Sequence, residues 1–409
     1  MAGISKTTDA APAADPPLLS AAAVRQRCGW FLDAAHAGTL RHFALDEGAL
    51  DQCAQLVADE TRANYPDLKV PYHSRWRHFE TQHGDLAGVL PGNAEHVDDV
   101  RCRAALDLAF VSVLLDAGAG SGWQYRDLQT DSVYRRSEGL AVASARMFAA
   151  GLFSSDSGQS RQVDAVALEA LDVEGLGRGL QVDEDNELPG LAGRVDLLKR
   201  LGETLTSLCG PGQRPADLVL DAIGRGPVSA DALLGHLLQR LNSIWPQGLV
   251  QDGVAFGDVA RHPLAGCAAT DSGLVPFHKL SQWLAYSLIE PLAWGGIEVT
   301  ELDGLTGLAE YRNGGLFIDA GVIRPIDPSL AERPLTVDSE PVVEWRALTV
   351  ALLDALAPRV RDRLGVQREL FPLACLLQGG SWSTGRRLAQ ARHPDAAPPL
   401  TLHLTGTVF

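Results

Sequence analysis

The chain has 409 residues, 46% of them hydrophobic and 21% charged, and a formal net charge of -16. Asp and Glu outnumber Lys and Arg by 51 to 35, which argues against a nucleic-acid partner, because phosphate binding needs a basic face. The balance is that of a globular protein rather than a disordered one, and at roughly 100–200 residues per domain the length allows two or three domains, or one large one with two lobes.

Residues 1–20, MAGISKTTDAAPAADPPLLS, read as a flexible Ala/Pro leader without the apolar run of a signal peptide. A single large domain is expected over 21–409, dividing, if at all, into lobes 21–250 and 251–409. The six cysteines (Cys28, Cys53, Cys102, Cys209, Cys267, Cys375) are far apart with no CxxC pair, so reduced, mostly buried thiols and a cytoplasmic location are expected. His73, His78 and His83 recur every five residues, a spacing that rotates them off a common helical face, and no HExxH occurs; no metal is expected. Arg75-Trp76-Arg77-His78 and Arg135-Arg136 read as solvated surface cations, either of which could hold a single phosphate.

A helix is expected over 102–116, stopped at Gly118. Its apolar run, Leu108 to Leu115, is bounded by Asp107 and Asp116, far short of the roughly 20 residues that span a bilayer, so no membrane partner is expected. The stretch Val113 to Gly122, VLLDAGAGSG, looks like the first motif of methyltransferases, whose glycines let backbone approach a cofactor. That reading needs an amphipathic helix next, and the polar WQYRDLQTDSVYRRSEG follows instead. A helix C-terminus entering a glycine loop is the better reading, and no cofactor is expected.

Further helices are expected over 138–150, after Ser137-Glu138; over 229–244, with Leu233, Leu234, Leu237 and Leu241 on one face; over 277–290, after Pro276; and over 341–357, with Val342, Trp345, Leu348, Leu352 and Leu356 aligned. Strand signals are confined to Leu316-Phe317-Ile318 and to Leu400 through Phe409. Segments 153–162, 182–192, 209–215 and 324–340 read as surface loops. The pattern predicts a mainly α (α+β) fold with a few short strands near the C-terminus.

Two stretches carry chemistry. In the first, Asp303 and Glu310 are seven residues apart and would share a face on a continuous helix, with Tyr311 and Arg312 directly after. A carboxylate pair beside an arginine and an aromatic suits a reaction in which positive charge develops on a sugar while an anionic group is held, although composition alone favours an amphipathic helix with exposed acids. In the second, Gln378-Gly379-Gly380-Ser381-Trp382 and Gly385-Arg386-Arg387 combine glycines, an aromatic and two cations, read as a loop before a terminal edge strand.

RSEGLAVAS (Arg136 to Ser144) with MFAAGLFSSD, LDGLTGLAEYRNGGLFIDAGV, LQGGSWSTGRRLA and the final GTVF together resemble the uracil-catabolism family of fungi and bacteria, a former domain-of-unknown-function group, over about residue 20 to the end. The family usually has Ser-Asp before the final Gly-Thr-Val-Phe, where this chain has Leu404 and Thr405. HKLSQ (His278 to Gln282), LTGLAEYR and SEGLAVASARMFAAG are also similar, more distantly, to motifs of the queuosine-nucleotide salvage glycosidases, which are helical and related in fold to DNA glycosylases. Glu310 stands where those enzymes have the acid of an AspTyrArg motif.

The resemblance implies hydrolysis of an N-ribosidic bond, releasing urea from ribosylurea or its 5′-phosphate, a small free substrate. It implies Glu310 or Asp303 as the carboxylate that stabilises the sugar cation and activates water, and Lys279 or His278 as the proton donor. Arg312 would hold the phosphate or orient the carboxylate, with Arg386 as a second phosphate ligand. Glu138 would bond ribose hydroxyls, Trp382 would wall the pocket, and Tyr311, Ser137 and Gln282 would complete the substrate contacts. Two alternatives are a hydrolase that cleaves an amide of another ring-opened intermediate and a non-catalytic partner of the same pathway.

Overall fold

Two N-terminal helices, α1 (Ala21–His36) and α2 (Glu47–Asn64), precede the segment around which the fold is organised, α3 (Asp99–Leu114). The structure is a computed structural model that describes residues 17–403 apart from 121, 246–248, 252 and 268–272. Asp98 starts α3 by accepting the Arg101 N–H, and every residue from Ala104 to Leu114 is buried. A helix apolar on all sides must be surrounded.

Its surroundings come from helices that follow it. Of these, α4 (Arg136–Ala149), α7 (Leu191–Cys209) and α8 (Pro215–Ile223) pack on it, with the short α5 (Ala165–Ala170) and α6 (Val173–Gly179) against α7 and α9 (Ala230–Leu241) against α8. The later α10 (Lys279–Trp294) also runs along α3, buried from Leu280 to Ile289. The long α12 (Glu340–Leu364) receives α1, α2 and α11 (Tyr311–Asp319), and α14 (Trp382–Arg392) packs on α11 after the four-residue α13 (Leu373–Leu376). The fold is mainly α. Its strands are two to four residues long and pair in twos, such as Phe43–Leu45 with Ile323–Pro325 and Gln124–Asp127 with Ser132–Arg135, so they are spread along the chain rather than gathered near its C-terminus.

Several local expectations give way to tertiary context. Leu316-Phe317-Ile318, expected as a strand, lies inside α11, because Glu310 caps that helix and α12 and α14 cover its apolar face. The glycine-rich Leu377–Ser381, expected as a loop, is a π-helical turn continuous with α14. Its glycines serve packing: a Cβ at Gly380 would collide with the Val57 carbonyl of α2, and one at Gly385 with the Arg312 carbonyl of α11. Of the terminal strand, Leu402 bridges Leu335, while Leu404, Thr405 and the GTVF end lie outside the described residues. Cys28, Cys53, Cys102 and Cys375 are free and buried, and Cys209 is half-buried. Among the described residues no helix is long and apolar enough to cross a membrane.

Candidate functional site

One of the buried charged clusters gathers around Arg75. The 3-10 turn Arg75–His78, expected on the surface, is sunk between α3, α4 and α10, with Arg75 wholly buried. Its guanidinium pairs with Asp116 (Nη1 to Oδ2, 2.8 Å), donates from Nε to Ser112 Oγ (2.7 Å) and lies 3.1 Å from His78 Nδ1. The turn is held by Ser287 of α10, which accepts the Arg75 N–H at Oγ and the Trp76 indole N–H at its carbonyl. An arginine at such depth needs its charge countered, which Asp116 does, while Nε and Nη1 find partners and Nη2 has none among the described residues.

Asp116 is fixed by its loop. Leaving α3, the chain at 115–118 turns its carbonyls onto a second buried arginine, Arg194 of α7, which donates to the carbonyls of Leu115, Ala117, Gly118 and Pro189. The VLLDAGAGSG stretch is thus a helix end clasped by an arginine. Burial pulls the Arg194 guanidinium down to about 10, with Asp116 opposing the shift.

Lys279 and Glu310 bring the family-motif stretch into the same field. His278 adopts a left-handed conformation (φ 47°) that starts α10 at Lys279. Asp258, gripped by both Arg346 Nη groups (2.9 and 2.7 Å), accepts the Lys279 N–H at 3.0 Å. Burial lowers the Lys279 ammonium, while Asp116 and Glu310 push it back up. Glu310 caps α11, accepting Asn313 N–H at Oε1 (2.6 Å) and Arg312 N–H at Oε2 (2.7 Å). Burial raises the Glu310 carboxyl; the two N–H donors, Lys279 and Arg312 oppose that shift. Tyr311 is raised by burial and feels Arg312, Glu310, Arg136 and Asp116.

Near this cluster, Glu138 in the first turn of α4 meets Arg386 of α14 at 3.2 Å, and the Arg386 guanidinium lies over the Trp382 ring, 5.4 Å from its centroid. Ser137 is half-buried in the same turn of α4. The Arg312 guanidinium stacks on Tyr311 and donates to the Ala396 carbonyl (2.9 Å), while Arg136 donates to the neighbouring Asp395 carbonyl (3.0 Å).

Three sequence candidates are engaged elsewhere. Asp303 and Glu310 do not share a helix, because a 3-10 turn (Leu302–Gly304) and an extended segment separate them. Asp303 accepts from Arg361, Arg368 and the Leu373 N–H at 2.9, 2.7 and 2.6 Å, and lines a cavity of about 590 Å³ with Arg25 and Asp354, away from Glu310. Gln282 spends its amide on Thr306 and the Phe277 carbonyl. His278 Nε2 sits 2.8 Å from the Leu18 carbonyl.

Sequence reasoning missed Asp116, Arg75 and the rings around Trp283. His73 and His78 flank that indole with centroids at 4.7 and 6.0 Å, whereas His83 contacts Ser132 Oγ. Among the described residues, no group of three or more His, Cys, Asp or Glu side chains is arranged to hold a metal. Burial pulls His73 down to about 4, against the hydrogen bond of its Nδ1 with Gln378 Oε1 (3.0 Å). Because the unfolded chain then binds that proton first, the stability due to neutral His73 is intact above pH 6.5 and drains as pH falls toward 4. Asp107, pushed up to about 6 by burial, works oppositely in the same window, so a comparison with His73→Gln isolates the histidine. The variant is expected to lose about 2 kcal/mol less stability than the parent between pH 7 and 5, as read from urea unfolding at each pH.

A family model described as "Protein of unknown function (DUF1688)" matches residues 17–409, and the chain belongs to that family. It is 40% identical to Protein urg3 of Schizosaccharomyces pombe over 410 residues, covering 96% of this chain and 98% of the relative. It is 34% identical to Uracil catabolism protein 4 of Lachancea kluyveri over 414 residues, covering 91% and 93%.

Proposed function

We propose that this member of the DUF1688 family acts in uracil catabolism as an N-ribosidic hydrolase, releasing urea from ribosylurea or its 5′-phosphate. The pathway is supported by the name of the Lachancea kluyveri relative. The reaction is supported above all by one arrangement: Lys279, half-buried at the start of α10, lies in the electrostatic field of two carboxylates, Glu310 and Asp116.

Cleaving the bond leaves an oxocarbenium-like sugar and a nitrogen that departs poorly unless protonated. Burial makes the Lys279 ammonium a stronger acid than a surface lysine, suited to protonating urea nitrogen. Glu310, held rigid by two backbone N–H groups, supplies a fixed negative charge for the sugar cation. Arg312 is occupied with the Ala396 carbonyl and Tyr311, so it positions Glu310 and the ring. Arg386, with a 46% exposed side chain, would leave its pairing with Glu138 to turn toward a 5′-phosphate, with Glu138 then available for ribose hydroxyls and Trp382 as a wall.

The test is direct. Purified full-length protein is incubated with synthetic ribosylurea and, separately, its 5′-phosphate, and free urea is followed. Turnover of either compound is expected; leaving both intact overturns the reading.

A further inference from the structure

We propose that Asp116 is a catalytic carboxylate, its Oδ1 activating the water that attacks the anomeric carbon. The inference rests on the hydrolytic reading above and adds to it a residue that no family motif points to.

The two oxygens of Asp116 stand in different situations. Oδ2 is anchored by Arg75 at 2.8 Å. Oδ1 is buried and has no hydrogen-bond partner among the described residues, on a side chain only 7% exposed. A buried carboxylate oxygen left bare is costly, and native structures rarely keep one without a use. Here the cost is held in place by construction. Arg194 clasps the loop carbonyls on both sides of Asp116, and Ser112, itself bonded to Ser144 Oγ (2.7 Å), fixes the guanidinium that fixes Oδ2. A residue positioned this rigidly, with one oxygen spare, is preorganised for proton abstraction.

Glu310 is built differently. Both of its oxygens already accept backbone N–H groups, which suits a fixed charge better than a proton acceptor. The work therefore divides. Asp116 Oδ1 takes a proton from water as the water oxygen bonds to the anomeric carbon. The C–N bond breaks, its electron pair goes to the urea nitrogen, and Lys279 gives that nitrogen its proton. One water is consumed, ribose and urea leave, and the proton on Asp116 returns to Lys279 through solvent.

Asp116→Asn keeps the shape and an acceptor for Arg75 but removes the base. It is expected to lower kcat by about 10²–10⁴-fold with KM within about threefold of the parent. The decisive readout is rescue: in Asp116→Ala, sodium azide, which needs no base, is expected to restore turnover and yield ribosyl azide. A folded Asn variant with near-parental kcat overturns the assignment, as does a folded, inactive Ala variant that azide does not rescue. Should the Asn or Ala variant fail to fold, Asp116→Glu takes its place: a kcat loss of more than about tenfold at unchanged KM supports the assignment, and unchanged kcat overturns it. Parental protein that leaves ribosylurea and its phosphate intact defeats the hydrolytic reading itself, whereas parental turnover with a fully active Asp116 variant defeats only the role of Asp116.

Discussion

Glu310→Gln is expected to lower turnover of ribosylurea by about 10²–10³-fold, the usual cost of removing one preorganised charge from a transition state. The stability loss should be small. Glu310 begins α11 by accepting two backbone N–H groups, and the amide that replaces it offers one acceptor oxygen for the pair, a capping loss of about 1 kcal/mol. These two numbers separate the roles: a residue that merely caps α11 would show the stability loss alone. Steady-state kinetics with an unfolding curve on the same preparation reads both, and near-parental kcat would move the charge-stabilising role elsewhere.

Arg75→Met is expected to cost about 3–5 kcal/mol of stability, because it leaves Asp116 buried without its countercharge. The pair is sealed, with side chains 0% and 7% exposed. Restoring neutrality should repair much of the damage: Arg75→Met combined with Asp116→Leu is expected to be more stable than the single variant, since a buried ion pair can be exchanged for apolar groups at little net cost. Urea unfolding of the two proteins checks this. A single-variant loss below about 1 kcal/mol, typical of a solvated pair, would mean that bulk solvent screens the Arg75–Asp116 pair, and the case for a preorganised carboxylate would weaken with it.

Much of the helical layout was legible in the residues. The leucines of α9 and the aligned apolar positions of α12 repeat at helical spacing, so periodicity reveals them without a fold. The misreadings share one physical cause, the override of local signals by packing. Leu316-Phe317-Ile318 looks like a strand until Glu310 caps a helix over it. Gly379 and Gly380 look like a loop until α2 approaches close enough to demand glycine. Arg75 looks solvated because a buried arginine is rare and its partners, Ser112 and Asp116, lie some forty residues away. Asp303 looked like the mate of Glu310 only while a helix between them was assumed. The sequence did carry one clue to Asp116: an acid just past a long apolar helix, two residues before a glycine, is placed where the chain leaves the core.

The most direct measurement of the central claim is the fate of oxygen from heavy-oxygen water during turnover of ribosylurea. Hydrolysis of the N-ribosidic bond releases intact urea with an unlabelled carbonyl oxygen, one for each ribose or ribose 5′-phosphate formed. Carbon dioxide and ammonia in place of urea, with ribosylamine as co-product, would mean that water attacks the urea carbonyl and would contradict the account.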